Sequence, residues 1–357
     1  MLLSYNIYMN PKDFKTLRQD IWSDEYISGT LWIGGDKYAI DVSYRGHSIR
    51  NHEKKSYNIL FKKPFFMNGA HEIHLNAEFN DPSLIRNKLS LDFFSDIGVL
   101  SPQSQHILLY INGVFNGIYL QLESFDQYLL TKRKLPDGSI YYATDNDANF
   151  SLLTAENEVK ADLTQGYSEK YGNEEGKASL LNLLIKVNTL TDAEFYEEIS
   201  KIINIEKYLL WLAGVVCTQN FDGFVHNYAL YRDDNTKLYE ITPWDYDGTW
   251  GRDRHGTPLE YDYIPIDGYN TLTARLFKYP HYRSMYKNIM ESVLQNQFTA
   301  ANQGPCIELS YRELNPYIIK DPYMKYRVEE FEKEPEFILE FIRNRNHYLT
   351  NELSRIV

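Results

Sequence analysis

The chain has 357 residues, with 37 Lys+Arg against 49 Asp+Glu and a formal net charge of −12. That length suits two domains, or one enlarged two-lobed domain, and 43% apolar with 24% charged residues excludes wholesale disorder. The acidic balance argues against a nucleic-acid-coating role, because neutralising phosphates takes clustered Lys and Arg. The 30 tyrosines and 15% aromatic content predict wet, stacking surfaces for ligands or partners. Cys217 and Cys306 cannot make a disulfide framework, and Cys217, inside LLWLAGVVC, reads as a buried thiol. The longest apolar run, residues 209–217, is too short to span a membrane. MLLSYNIYMN lacks a basic start, a long apolar region and a small-residue cleavage site, so the expectation is a cytosolic protein with no membrane partner.

In chain order, the first half is predicted to be β-rich. GTLWIGG, KYAIDVSYRG, KSYNILFKK, HEIHLNAEF, HILLYINGVF and NGIYLQLES cluster β-branched and aromatic residues between Gly, Asn and Asp turns. Asn112-Gly113 and Asn116-Gly117 predict a hairpin between HILLYI and IYLQLE. One helix interrupts the strands: Asp81-Pro82 opens it, Leu84, Ile85, Leu89, Leu91, Phe93, Phe94 and Ile97 form its buried stripe, and Gly98 ends it. The second half is predicted to be helical, through EGKASLLNLLIKVNTL, TDAEFYEEISKIIN, IEKYLLWLAGVVCTQ, HYRSMYKNIMESVLQNQF and PEFILEFIRNRNHYLTNEL, with a capping box from Thr191 to Glu194. The polar stretch 135–176 fits a long loop or an ordered insertion. The fold class expected is α+β and two-lobed. A β-rich lobe covers residues 1–120, a hinge lies near residues 121–125, and a helical lobe follows, so that 121–357 is hinge and second lobe of one unit. A cleft between such lobes is a natural nucleotide site.

Three segments carry chemistry. In VSYRGHSIRNHEKKSYNILF a strand runs into Arg45-Gly46-His47-Ser48, with Lys55 at the head of the next strand. Gly lets backbone approach an anion and Arg45, Ser48 and Lys55 supply donors, although the same pattern also describes a charged hairpin turn on the surface. Glu123 ends the predicted hairpin strand, where it either touches a ribose or caps the next helix. In QNFDGFVHNYALYRDDNTKLYEITPWDYDG an apolar helix delivers Asp222, four residues precede Asn227, a hairpin follows, and Asp245 and Asp247 close it. Protein kinases use that order, because phosphoryl transfer needs a carboxylate at the attacking hydroxyl and separate oxygen ligands holding Mg²⁺ against the phosphates. Asp222 is thus the candidate base, and Asn227, Asp245 and Asp247 are the candidate metal ligands. Turn formation is the competing reading, above all for the Asp247-Gly248 step. Tyr142 and Trp244 either stack on an adenine or fill the core. His71 and His74 point to opposite faces of a strand, which argues against a shared metal.

RGHS near residue 45, KKSYNILF, LIRNKLSLDFF, INGVFNGIYLQLES, DGFVHN and WDYD together resemble the spore coat protein H (CotH) kinase family, over about residues 40 to 250. The size and the acidic, Tyr-rich character are similar to a Bacillus-type spore coat member. The resemblance implies an atypical protein-kinase-like fold that uses ATP and Mg²⁺ or Mn²⁺. It implies phosphorylation of Ser residues in Ser-rich, basic coat proteins, and of the kinase itself, first in the mother-cell cytoplasm and then in the spore coat. On it, Asp222 is the catalytic carboxylate, Asp245 the principal metal ligand, and Lys55 the phosphate lysine. The departures from ordinary kinases are the absence of H-R-D before Asp222, the absence of D-F-G, and Arg86 in the helix that would carry a glutamate for Lys55. Two other classes stand against this reading. A non-catalytic coat scaffold would keep these residues as relics. A carbohydrate-active enzyme would use two carboxylates and many aromatics, but leaves Lys55, Arg45 and the Asp/Asn pairing unexplained.

Overall fold

Period-2 burial builds the first part of the molecule. In β1 (Leu3–Met9) Tyr5, Ile7 and Met9 are buried and alternate with more exposed neighbours. The computed structural model describes residues 1–62, 67 and 69–356; Lys63, at the end of KSYNILFKK, lies outside the described residues. Strands β1, β2 (Ile27–Ile33), β3 (Asp36–Arg45), β4 (Ser56–Phe61), β5 (Glu72–Asn76), β6 (Ser104–Ile111) and β7 (Val114–Glu123) close into a barrel in the order β1-β2-β3-β4-β5-β7-β6. β1 and β6 pair in parallel, and closure removes the open edges that a sheet otherwise exposes. Leu31, Ile40, Val42, Ile59, Leu75, Ile107 and Leu109 fill the interior. The β6–β7 hairpin turns on Asn112 and Gly113, with φ of 49° and 81°, which is the residue pair that a two-residue turn of this twist requires. Helix α1 (Pro11–Gln19), absent from the sequence reading, starts where the Asn10 side chain accepts from Lys12 N at 2.9 Å.

Two compact units divide the chain: Met1–Lys88, Pro102–Ser124 and Cys306–Glu336 form one, and Leu89–Ser101, Phe125–Pro305 and Phe337–Val357 the other. The sequence places a single boundary near residue 121; the chain crosses at Ser124–Phe125 and also exchanges two segments. Residues 306–336 join the barrel unit through Asp321, which is fully buried and accepts from Ile118 N at 2.7 Å, Tyr323 N at 2.8 Å and Met324 N at 3.1 Å. Gly117, at φ +104°, makes this approach possible: a Cβ there would lie 2.5 Å from Asp321 Oδ2. Residues 89–101 join the other unit through Ser90, whose hydroxyl accepts from Trp250 Nε1 at 2.8 Å, and through Phe94, against which Gly214 packs.

Helix α2 (Arg86–Asp96) starts later than Asp81-Pro82. The Asp81 carboxylate takes the N–H groups of Ser83 at 2.8 Å and Arg86 at 2.9 Å, and Leu84 sits at φ +60°, so the chain makes a capped turn before the helix. Gly98, at φ +87°, ends the helix as expected. In the second unit Asp126 caps α3 (Gln127–Lys132), accepting from Tyr128 N and Leu129 N. Strands β8 (Gly138–Ala143), β9 (Tyr167–Tyr171), β10 (Tyr228–Asp233) and β11 (Tyr239–Pro243) form a sheet in the order β11-β10-β8-β9. The polar stretch is therefore an ordered insertion, and its loop is knotted by buried Lys160, which donates to Asp147 O, to Asn149 Oδ1 at 3.1 Å and to Ser151 O at 2.9 Å.

Around this sheet stand α4 (Glu174–Thr189), α5 (Asp192–Glu198) with its Thr191–Glu194 capping box, α6 (Ile205–Thr218), α7 (Thr271–Leu276) and α8 (Pro280–Gln295). α6 is buried on nearly every side, and burial pushes the Cys217 thiol up to about 12. α9 (Ala300–Ile318) and α10 (Val328–Glu352) have residues in both units. α7 and α9 are absent from the sequence reading; α9 runs through Gly304, Pro305 and Pro316, residues that ordinarily signal turns. α10 begins at Val328, not at Pro335, which lies inside it.

Candidate active site

The C-terminus of α6 positions Asp222, the candidate base. Gln219 adopts the left-handed conformation, φ 60°, and its N–H bonds Val215 O, which turns the chain out of the helix. Asn220 Oδ1 then accepts from Gly223 N at 3.0 Å, and a short turn, Asp222–Phe224, fixes Asp222, whose carbonyl accepts from His226 N at 2.9 Å. Asn227 lies just before β10 and Asp245 just beyond β11. The ladder pair Tyr228–Pro243 and the bond from Trp244 N to Asn227 O, 3.0 Å, hold both at one end of the hairpin. Both are left-handed, with φ of 58° and 60°. Asn and Asp tolerate that region best, and such strain concentrates at functional sites.

Asp222, Asn227, Asp245 and Asp247 line one cavity of about 700 Å³ in the second unit, together with Arg254 and His255. Asp222 is 19% exposed; its Oδ2 lies 3.8 Å from His226 Nε2 and 3.8 Å from Arg254 Nη1. Further along the wall stand Asn146, Asn149 and Asn157 from the insertion. The floor is braced from below: Gln219 Nε2 donates to Glu260 O at 2.8 Å and Trp250 N to Thr218 O at 2.9 Å. Buried Arg345 donates to Val216 O at 2.7 Å, to Tyr261 O at 2.8 Å and to Ile264 O at 2.7 Å, and burial pulls its guanidinium down to about 10. Trp244 meets Tyr142 edge-on at 4.9 Å, and the Tyr142 hydroxyl accepts from Phe125 N at 3.0 Å. Both rings are half-buried, so neither belongs wholly to the core.

The remaining sequence candidates lie in the first unit. Arg45 ends β3 and donates to Asn76 Oδ1; exposed Ser48 opens a short turn, Ser48–Asn51, in which Arg50 is buried. Lys55 donates to Arg50 O at 2.6 Å and to His52 O, and partial burial lowers its pKa. Glu123 Oε2 accepts from Gln103 N at 2.9 Å, so the cap of the following helix is Asp126 and not Glu123. Arg86, placed by sequence where a glutamate would serve Lys55, is fully buried and pairs with Asp81 at 2.5 Å and Glu334 at 2.6 Å.

In the sequence GTWGRDRHG lies where a kinase places its activation segment, which does not single out Arg254 and His255, whose signal is the basic pair inside GRDRHG two residues after WDYDG. Nor does the sequence single out the amides Gln219 and Asn220, which line the cavity and keep a buried Oε1 and Nδ2 unpaired. Among the described residues no three His, Cys, Asp or Glu side chains gather into a closed metal cage. An open set of one or two carboxylates and an amide oxygen fits Mg²⁺ or Mn²⁺ completed by substrate phosphates and water.

Residues 42–349 match the family described as CotH kinase protein. The chain is 48% identical over 351 residues to an inner spore coat protein H of Bacillus subtilis (strain 168), covering 98% of this chain and 97% of that one. An inner spore coat protein H-like protein of the same organism is 30% identical, covering 85% and 87%. Among solved structures, a Helicobacter pylori proinflammatory kinase, CtkA, aligns over 99% of this chain and 98% of its own at 12% identity and a TM-score of 0.34. With a family match over most of its length and a relative of nearly half its sequence, the chain belongs to the CotH kinase protein family.

Proposed function

We propose that the chain is an ATP- and divalent-metal-dependent protein kinase that phosphorylates Ser residues of spore coat proteins, and itself, during coat assembly. It would work in the mother-cell cytoplasm and then in the spore coat. The observation that carries this is the convergence of Asp222, Asn227, Asp245 and Asp247 on one cavity, from a helix end and a hairpin base. Asp222 orients the acceptor hydroxyl and takes its proton late in a loose transition state, so its placement matters more than its basicity. Asn227, Asp245 and Asp247 would hold the divalent cation, which supplies charge neutralisation at the phosphates. Tyr142 and Trp244 offer ring faces and edges to the adenine; Arg45, Ser48, Lys55 and Glu123 are candidate nucleotide contacts on the first unit, where Arg45, Lys55 and Glu123 hold partners within that unit. Serine-rich, basic coat segments suit a chain of charge −12, and salt should weaken their association.

The test is direct. With ATP and Mn²⁺ or Mg²⁺ the protein should transfer labelled phosphate to a Ser-rich basic peptide, and Asp245→Asn should abolish transfer and weaken metal-dependent nucleotide binding at an unchanged melting temperature. Normal turnover in Asp245→Asn would sink the assignment.

A further inference from the structure

The turn that carries the base brings no strong cation with it. Within DGFVHN the position two beyond Asp222 is Phe224, which is fully buried, and His226 supplies the turn's basic side chain. Charge that accumulates on the equatorial oxygens of a moving phosphoryl group is stabilised in other transfer sites by an arginine, supplied in cis or by a partner. Here an arginine arrives from elsewhere in the same unit. Arg254 lines the cavity with Asn227, Asp245 and Asp247, and its guanidinium lies 3.8 Å from Asp222 Oδ2, an ion-pair distance too long for a hydrogen bond.

The backbone beneath Arg254 is fixed while its side chain stays 65% exposed. Asp253 Oδ1 accepts from His255 N and Thr257 N, both at 2.8 Å; Gly256 N bonds Asp253 O at 2.9 Å; Arg252 pairs with Pro258 across the loop. Gly248 packs so closely that a Cβ there would lie 2.7 Å from Arg254 N, which seats the arginine beside the Asp245–Asp247 segment. The result is a long cationic arm on a hydrogen-bonded loop, lining the same cavity as Asp222 and the proposed metal ligands, with its Nε donating to His255 Nε2 at 3.3 Å.

We propose that Arg254 is a catalytic residue whose guanidinium contacts the phosphoryl group in transit; this rests on the kinase reading above. In the step it assists, the acceptor oxygen–phosphorus bond forms and the bond from phosphorus to the β–γ bridging oxygen of ATP breaks. The bridging electron pair leaves with ADP, the acceptor proton passes to Asp222, and Arg254 keeps its protons throughout.

The experiment compares wild type, Arg254→Ala, Arg254→Lys and Asp245→Asn in peptide turnover, in melting temperature, and in affinity for ADP with and without aluminium fluoride, a mimic of the phosphoryl group in flight. Arg254→Ala should lose at least ~10³-fold in turnover, the low side of what a cis or trans arginine contributes. Its affinity for ADP alone should be unchanged, the tightening by aluminium fluoride should disappear, and Arg254→Lys should recover part of both. Normal turnover with undiminished tightening in Arg254→Ala would overturn the proposal. So would a raised KM for peptide at full kcat, which would make Arg254 an acceptor contact, or an equal fall in melting temperature for both arginine variants, which would make it a loop brace. Transfer surviving Asp245→Asn defeats the kinase reading itself, whereas a dead Asp245→Asn beside an active Arg254→Ala defeats only the arginine.

Discussion

In the first unit Lys54, Arg86 and Asp321 are wholly enclosed, while in the second Asp222, Asp245, Asp247 and Arg254 line a cavity. The enclosed set is closed on itself: Arg86 bridges Asp81 and Glu334, and the Lys54 ammonium donates to Ile118 O at 2.5 Å, between the rings of Tyr119 and Tyr323 and in the field of Asp321. Buried charges of this kind must be matched, because an unmatched one costs several kcal/mol, so their geometry answers to folding. The cavity set faces open space. Asp222 has the His226 imidazole and the Arg254 guanidinium at 3.8 Å, and Asn227 and Asp245 sit on strained backbone at the base of a hairpin. The contrast predicts that substitutions in the two sets will separate activity from stability.

The largest effect is expected at Asp222, the proposed base. Asp222→Asn keeps the shape of the turn and removes the charge, so transfer should fall by ~10²- to 10⁴-fold, the usual contribution of a general base. Nucleotide affinity should hold, and stability should stay within about 0.5 kcal/mol, as for substitutions outside the core. Denaturant titration beside a turnover assay reads both. A large loss of stability would place Asp222 with the enclosed set and erase the contrast.

The mirror experiment is Arg86→Met. It strands Asp81 and Glu334 as buried carboxylates without their shared partner, and breaking a buried pair costs about 3–5 kcal/mol. The denaturation midpoint should drop accordingly, and whatever transfer the folded fraction performs should keep its KM for ATP. A cost below about 1 kcal/mol would mean that these charges are reached by water, as surface pairs are.

Local signals explain what the sequence made legible. The Asn112-Gly113 turn, the Gly98 helix stop, the Thr191–Glu194 box and the spacing of Asp222, Asn227 and Asp245 all depend on neighbours within a few residues or on one hairpin. What stayed hidden depends on distant partners. Arg254 acquires meaning only when Gly248 lets its backbone pack close and carries it to Asp222. Arg86 reads as a misplaced helix residue until Glu334 arrives from α10. The α2 boundary slipped because Asp81-Pro82 is a good helix start in isolation, yet the Asp81 carboxylate prefers the turn and caps Arg86 N from five residues away. The two neighbouring lysines show the same limit: KK at the head of a strand does not say which one turns inward, and it is Lys54 that is buried while Lys55 braces the preceding turn.

That pair supplies the finest test of the contrast. Burial pulls Lys54 from 10.5 to about 8, against the opposing pull of Asp321 and Glu78. Below pH 8 both folded and unfolded chains carry its proton, and the cost of burying the charge is fully present. Between about pH 8 and 10.5 the folded chain releases the proton first, the unfolded chain binds more protons, and Lys54's contribution to stability rises with pH. The interval corresponds to about 3 kcal/mol at 1.36 kcal/mol per unit. Buried Tyr57 and Tyr119, whose hydroxyls burial raises well above 10.0, work in the opposite sense at the alkaline end, because there the unfolded chain loses protons first. The quantity to measure is therefore the difference in unfolding free energy between wild type and Lys54→Met across the lower part of that range, from pH 8 to about 9, where the tyrosines keep their protons in both states. Wild type should gain on the variant as pH rises from 8, whereas the gap between wild type and Lys55→Met should change much less, since Lys55 is only partly buried. A flat difference for Lys54→Met would show that its ammonium keeps its water, and that the barrel unit's charges are no more enclosed than those of the cavity.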